Sequence, residues 1–213
     1  VREAATLEDR LALLPKVLAV AEAMAYAHEQ GVIHRDLKPA NVLVGAFGET
    51  VVVDWGLAKD LLREGGFEEE GQGREVESSD GLTVVGTVMG TPAYMAPEQA
   101  RGERVDERAD VYALGAILYT VLAGAPPYVG PSSTAVLEEV LKGPPVPLEQ
   151  RQGGLPEDLL ALVRKAMAVA KGARYRTARE FAEDLRRYQT GQLVGAHRYS
   201  TGQLLRRWVN KHR

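Results

Sequence analysis

Three side chains in segment 34–41 could together move a phosphoryl group: Asp36, Lys38 and Asn41. Transfer of that group from a metal-bound nucleotide to a hydroxyl needs a carboxylate, a cation and a metal ligand at about this spacing. Asp36 can accept or orient the hydroxyl proton, Lys38 can neutralise the moving charge, and Asn41 can hold a divalent metal ion. The segment therefore predicts a phosphoryl-transfer loop.

A second chemical motif, Asp54-Trp55-Gly56, follows the apolar run 51–53. A carboxylate at the end of a strand, before a glycine that lets the backbone turn, can bridge a metal ion to nucleotide phosphates. An Asp before an aromatic residue and a Gly is more often a plain turn when it stands alone. Here it follows the loop that carries Asn41, and this order favours the metal ligand.

These motifs resemble a known family when residues 90–98, Gly-Thr-Pro-Ala-Tyr-Met-Ala-Pro-Glu, are added. Segment 34–41 resembles the catalytic loop of protein kinases, Asp54-Trp55-Gly56 resembles their Asp-Phe-Gly, and residues 96–98 stand at the Ala-Pro-Glu position. Lys38, two residues after Asp36, points to the Ser/Thr branch. From residue 11 to about residue 188, the chain resembles the carboxyl-terminal lobe of a bacterial-type Ser/Thr protein kinase.

The resemblance implies a role for each matching residue. Asp36, Lys38 and Asn41 would be catalytic, and Asn41 and Asp54 would hold Mg²⁺, with Mn²⁺ as an alternative. The Thr91 hydroxyl would bond to Asp36 and Lys38 and so position the substrate strand. The implied contacts to ATP come from Lys38, Asn41, Leu43 and Asp54, and the implied structural residues are His34, Arg35, Glu98, Asp110 and Arg174.

Two of the implied structural roles make geometric predictions. Glu98 should form a buried ion pair with Arg174, in which loss of one partner costs about 3–5 kcal/mol. Asp110 should accept hydrogen bonds from the backbone of the catalytic loop. An acid in the first turn of a helix is also favoured by the helix dipole, so simple capping is the alternative for Asp110.

Arg35 suggests a mode of regulation. In related kinases an Arg at this position pairs with a phosphorylated residue of the activation loop, and such a pair can order the loop through charge-assisted hydrogen bonds. The candidate phosphosites in this sequence are Thr83, Thr87, Ser78 and Ser79.

The predicted fold is mainly α, a protein-kinase-like large lobe with a short β-hairpin at the catalytic loop. Segment 111–130 lacks charged residues, but Gly124 and the prolines after it interrupt the run, so it predicts a buried central helix rather than a membrane span. Periodicity and breaks predict helices over 11–30, 106–123, 132–142, 156–169, 177–189 and 201–211, and strands over 32–33, 42–44 and 51–53 around a turn at 46–49.

Composition limits the classes of partner. The formal net charge of −3 is too small to predict nucleic-acid binding, and the absence of cysteine excludes disulfides and thiolate metal sites. Segment 64–81 is rich in glycine and acidic residues and predicts a mobile loop. Protein substrates with Ser or Thr are the partners that the resemblance implies.

Two domains are predicted: a kinase lobe over 1–190, with the catalytic loop at 34–41 and the activation segment at 54–98, and a basic amphipathic tail over 191–213. No glycine-rich loop and no strand with a nucleotide-binding lysine precede the catalytic loop. We therefore expect the N-terminal β lobe to be absent from this chain, and the 213 residues alone to be inactive. The alternative is a non-catalytic kinase-like module that binds partners, which has no need of an intact Asp36, Lys38, Asn41 and Asp54.

The tail has two interpretations. As a helix it would place apolar side chains on one face beside several basic ones, which suits an anionic membrane surface or the flank of a transmembrane helix. Equally, it could be a solvated helix that packs its Leu and Trp side chains on the lobe. The first interpretation predicts a parent protein that is anchored to a membrane, with the kinase domain in the cytoplasm. The apolar residues are Leu204, Leu205, Trp208 and Val209.

Overall fold

The structure, a computed structural model, describes residues 6–56, 59–60 and 92–204, with only the backbone of 59–60. The predicted loop 64–81, Thr91, the four candidate phosphosites and the tail beyond residue 204 lie outside these ranges. The elements are α1 (Leu7–Leu11), α2 (Leu14–Glu29), β1 (Val32–Ile33), β2 (Val42–Val44), β3 (Thr50–Val52), β4 (Lys59–Asp60), α3 (Pro97–Ala100), α4 (Arg108–Ala123), α5 (Ser133–Lys142), α6 (Leu148–Arg151), α7 (Glu157–Ala166) and α8 (Ala178–Gln189).

Helix α4 is the buried centre of the lobe, as its uncharged sequence predicts. Every residue from Ala109 to Leu122 is buried. The helix ends at Gly124, which has a left-handed φ of 73° that a glycine adopts without steric cost. A Cβ at Gly115 would lie 2.7 Å from the Cβ of Ala166 and 2.8 Å from the Cγ of Met167, so α4 and the end of α7 approach each other closely here.

Helix α2 packs its apolar face on α4 and α8. Leu14, Val17, Ala21 and Met24 are buried at helical spacing, which confirms the helix predicted for this stretch. The combined stretch Leu7–Glu29 has 23 residues and a mean hydropathy of 1.3, enough for a membrane span by length and composition alone. In the structure, 39% of the most apolar 18 residues of this stretch are buried inside the lobe. Core helices of soluble proteins can have the same length and hydropathy.

The strands form two antiparallel pairs among the described residues. Strands β2 and β3 pair in the register Val42↔Val52, and Gly48, with a φ of 89°, lies in the turn between them. This pair confirms the predicted hairpin. Strand β1 pairs with β4, with Val32 opposite Asp60, and this second pair was not predicted.

The residues after α8 fold back onto the lobe. Val194 is 2% exposed and belongs to the hydrophobic core. The buried carboxylate of Asp184 accepts hydrogen bonds from the N–H groups of Gly195 (2.8 Å) and Ala196 (2.9 Å). The predicted division of the chain at residue 190 stays a prediction, but segment 191–196 packs as part of the lobe.

A second buried carboxylate, Asp158 of α7, continues this attachment. It lies 2.7 Å from His197 Nδ1 and accepts a hydrogen bond of 2.9 Å from the Tyr199 hydroxyl. The two rings stack, with centroids 4.3 Å apart. Helical backbone follows at 201–204, where the predicted last helix begins.

Candidate active site

The predicted catalytic loop, residues 34–41, is held by Asp110, which is 1% exposed. Its Oδ2 accepts the backbone N–H of His34 at 2.8 Å, and its Oδ1 accepts the backbone N–H of Arg35 at 2.9 Å. This is the contact that the resemblance implied, and it gives the carboxylate a use beyond helix capping. The sequence did not predict its third neighbour, His28, whose Nε2 lies 2.9 Å from Oδ2.

His34 joins the loop to the strand that leads into Asp54. Its Nε2 lies 3.1 Å from the carbonyl oxygen of Val53, and its Nδ1 lies 3.3 Å from the N–H of Asp36. Because a carbonyl oxygen only accepts, Nε2 carries the proton and Nδ1 accepts. A neutral His34 therefore satisfies both contacts. Its ring also lies against Trp55, with centroids 4.7 Å apart.

Trp55 occupies the position at which the kinase Asp-Phe-Gly motif has Phe. Its indole N–H donates to the carbonyl oxygen of Val52 at 3.1 Å, so the extra polar group of the larger ring has a partner. The side chain rests on His34 and is otherwise partly open to solvent.

Asp36 is contacted by its two predicted catalytic neighbours, Lys38 at the carboxylate and Asn41 at the backbone carbonyl. Lys38 Nζ lies 2.6 Å from Asp36 Oδ2, and the side chains of Lys38 and Asp36 are 17% and 12% exposed. Asn41 Nδ2 donates to the backbone carbonyl of Asp36 at 2.8 Å. Since the amide nitrogen of Asn41 is used in this way, its oxygen is the end left for a cation. The structure thus brings Asp36, Lys38 and Asn41 together, as their spacing predicted.

The β2–β3 hairpin brings the backbone of Asn41, one predicted metal ligand, beside that of Val53, which precedes the other predicted ligand, Asp54. Its pairing continues one residue beyond the strands, because the N–H of Val53 donates to the carbonyl of Asn41 at 2.9 Å. Asp54 follows immediately and has an exposed side chain. An amide oxygen and a carboxylate suit Mg²⁺, which is usually held by one or two protein oxygens with phosphates and water. Leu43, on β2, is 56% exposed.

Arg35 and Asp54 are the non-glycine residues with positive φ in the described ranges, at 69° and 63°. Residues other than glycine rarely adopt a positive φ, and such backbone strain clusters at functional sites. Both residues lie beside the proposed reacting groups. The Nε of Arg35 is buried and has no hydrogen-bond partner among the described residues.

The ion pair between Glu98 and Arg174 is present as predicted. Both Arg174 Nη1 to Glu98 Oε1 and Nη2 to Oε2 measure 2.7 Å, and the side chains are 0% and 2% exposed. The remaining donors of Arg174 go to the backbone carbonyls of Arg108, Ala168 and Val169. All five guanidinium donors are therefore satisfied, so that a charge at this depth is tolerated.

Gln99, which sequence reasoning missed, links the end of the activation segment to the catalytic loop. Its Nε2 donates to the carbonyl of Arg35 at 2.8 Å, and its Oε1 accepts the N–H of Ala96 at 3.2 Å. A Gln three residues after the N-cap residue of a helix is half of the usual capping-box pattern. This pattern is the sign of Gln99 that the sequence offers. The predicted contact of Thr91 with Asp36 lies outside the described residues.

Comparison with known proteins gives consistent matches. The family model described as the protein kinase domain matches residues 9–184. The serine/threonine-protein kinase PknB of Mycobacterium leprae is 40% identical over 171 residues, which are 80% of this chain and 25% of that protein. The probable serine/threonine-protein kinase PknB of Bifidobacterium longum is 37% identical over 175 residues, 82% of this chain and 23% of that protein. The chain thus spans about a quarter of the length of these relatives.

Proposed function

This chain belongs to the protein kinase domain family, with bacterial Ser/Thr kinases among its relatives, and on that premise we propose that it forms the carboxyl-terminal lobe of an enzyme that phosphorylates protein Ser and Thr residues with ATP. The observation that carries the proposal is the 2.6 Å contact between Lys38 Nζ and the Asp36 carboxylate, on a loop whose backbone is held by Asp110. A non-catalytic module has no need of this arrangement.

In the proposed reaction, Asp36 orients the substrate hydroxyl and accepts its proton as the phosphoryl group moves. Lys38 serves as the cation beside the transferred group, where negative charge is spread over the equatorial oxygens. The hydrogen bond from Asn41 Nδ2 to the Asp36 carbonyl holds the loop in one conformation. Catalysis in this proposal comes from the positioning of these groups and from electrostatics.

The proposed cofactors are ATP and Mg²⁺, with Mn²⁺ as an alternative. Asn41 and Asp54 would hold the metal ion, and the exposed Leu43 would lie under the nucleotide base. When bound, the metal neutralises charge on the β- and γ-phosphates. The oxygen donors of Asn41 and Asp54 fit such an ion, which takes its other ligands from phosphates and water.

The proposed nucleotide site also needs groups that are not in this sequence. A glycine-rich loop over the phosphates and a strand lysine on the α- and β-phosphates are parts of the kinase mechanism, and neither motif occurs among the 213 residues. We therefore expect the 213-residue chain alone to transfer little or no phosphate. The full-length protein, which would supply the N-terminal lobe, should be active.

The test is phosphoryl transfer from ATP by the full-length protein to peptides that offer either Ser/Thr or Tyr. Replacement Asp36→Asn should lower kcat by roughly 10²- to 10⁴-fold, the usual contribution of a positioned acid or base. The matched control is Glu138→Gln, which also removes one carboxylate charge but lies exposed on α5.

Three results would contradict the proposal in whole or in part. Equal activity of the wild-type protein and Asp36→Asn would exclude Asp36 from the chemistry. An inactive full-length protein that contains a complete N-terminal lobe would instead favour the alternative, a kinase-like module that binds partners. Preference for Tyr over Ser/Thr would contradict the substrate class alone.

Location remains part of the proposal. We expect the lobe to lie in the cytoplasm, with the basic tail either on an anionic membrane surface or packed on the lobe. Leu204 is the last described residue of this tail and is 39% exposed. Binding of full-length protein to vesicles that does not rise with anionic lipid content would contradict the membrane interpretation.

A further inference from the structure

The peptide unit between Arg35 and Asp36 has both of its polar groups held by side chains. The N–H of Asp36 donates to His34 Nδ1 at 3.3 Å, and the carbonyl of Arg35 accepts from Gln99 Nε2 at 2.8 Å. Arg35 itself has a φ of 69°, a conformation that the chain does not adopt without support. The orientation of this peptide sets the direction from which the Asp36 side chain leaves the backbone.

Gln99 is anchored at its other end by the activation segment. It lies in the short helix α3, and its Oε1 accepts the N–H of Ala96, the residue before that helix. The preceding residue, Glu98, is locked to Arg174 by the buried ion pair. Gln99 therefore joins a rigidly anchored part of the activation segment to the one carbonyl between Arg35 and Asp36.

We propose that Gln99 is a positioning residue for Asp36: its amide fixes the Arg35–Asp36 peptide and thereby couples the end of the activation segment to the catalytic carboxylate. This inference rests on the proposed kinase function. It also requires an amide specifically, because one end must accept from Ala96 and the other must donate to Arg35.

Substitutions separate these two requirements. Gln99→Glu keeps an oxygen that can accept from Ala96 but turns the donor to the Arg35 carbonyl into a second acceptor, which repels it. Gln99→Met keeps the length of the side chain and loses both hydrogen bonds. Gln99→Asn keeps the amide but is one methylene too short to span both partners. All three leave the contacts of Glu98 with Arg174 in place.

The experiment measures kcat, the KM for ATP and the melting temperature of these variants in the full-length protein. Since displacement of a catalytic group by about 1 Å can cost 10²-fold, we expect kcat to fall roughly 10- to 100-fold in Gln99→Glu and Gln99→Met. The KM for ATP should stay within about twofold, because Gln99 contacts none of the proposed nucleotide ligands. Gln150→Glu and Gln150→Met, at an exposed helical position, are the matched controls and should resemble wild type.

A second readout does not depend on turnover. Hydrogen exchange at the backbone of segment 34–41 should be faster in Gln99→Met than in wild type, while exchange in α4 stays unchanged. A purely structural role would instead lower the melting temperature and leave the kcat of the folded fraction unaltered, and that result would overturn the inference.

Failure of the inference is distinguishable from failure of the proposed function. If wild type is active, Asp36→Asn is not, and the Gln99 variants have wild-type kcat, only the role of Gln99 is wrong. If wild type and Asp36→Asn are equally inactive, the proposed function fails and the positioning role fails with it.

Discussion

A buried arginine and an exposed one should contribute very differently to the stability of the lobe. Arg174 is completely buried and donates to Glu98, whereas Arg164 is 58% exposed and lies 3.6–3.7 Å from Glu157 and Glu149. Arg174→Met leaves the Glu98 carboxylate buried without its partner, so the free energy of unfolding should fall by about 3–5 kcal/mol. Arg164→Met should cost about 0–1 kcal/mol. Urea titration of both variants checks this, and equal losses would contradict it.

Tyr175 gives a prediction on pH. Burial raises the pKa of its phenol, and the neighbouring Asp184 carboxylate adds to the effect. The folded protein therefore holds this proton at pH values where the unfolded chain, with a pKa of about 10, has released it. Stability from the Tyr175–Asp184 hydrogen bond is then complete below about pH 10 and is lost as pH rises above that value.

The measurement is the free energy of unfolding in urea at several pH values for wild type and Tyr175→Phe. The advantage of wild type should shrink by about 1.4 kcal/mol per pH unit above pH 10. Tyr26→Phe, at a position that is 68% exposed, controls for the loss of a hydroxyl. A wild-type advantage that stays constant from pH 8 to pH 11 would contradict the prediction.

The sequence alone predicts the contacts of the site where its residues lie in one short segment. Asp36, Lys38 and Asn41 are close in sequence, so their meeting follows from the loop itself. His28 and Gln99 were missed because they reach Asp110 and Arg35 across 82 and 64 residues. The capping-box pattern at Gln99 indicates its local contact with Ala96 and gives no sign of the distant contact with Arg35. Glu98 and Arg174 are just as distant, and only the family resemblance paired them.

The close approach of helices α4 and α7 depends on one glycine. A Cβ at Gly115 would meet the Cβ of Ala166 at 2.7 Å, which is shorter than real contacts allow. Gly115→Ala gains helix propensity of about 1 kcal/mol, but overpacking costs about 1–3 kcal/mol, so we expect net destabilisation. Gly172→Ala, with no atom within 4 Å of the new Cβ, is the control. Urea midpoints measure both, and a more stable Gly115→Ala protein would refute the close approach.

Periodicity was sufficient for the long helices and insufficient for the short pairings. Helix α4 was predicted over 106–123 and spans Arg108–Ala123, because its apolar run and Gly124 are local signals. Strand β4 consists of Lys59 and Asp60, which show no alternation, and it exists through backbone bonds to β1. Nothing in its own residues could have predicted this pairing.

The packed lobe extends beyond the part of the chain that the family model matches. That match ends at residue 184, yet Asp184 and Asp158 accept hydrogen bonds from residues 195–199. Backbone amides and isolated side chains leave no pattern in the sequence. The composition of this segment therefore indicated only the start of a tail. The lobe therefore holds the chain by side-chain and backbone contacts as far as Tyr199.

Neighbouring residues test whether this segment is structural. Val194 is 2% exposed and Leu193 is 48% exposed. Val194→Ala removes buried methyl groups and should lower the free energy of unfolding by about 1.5–3 kcal/mol, whereas Leu193→Ala should have little effect. Urea unfolding followed by far-ultraviolet circular dichroism, which reports on all of the helices together, shows whether the loss affects the whole lobe. If both substitutions cost the same small amount, segment 191–199 is not part of the cooperative fold.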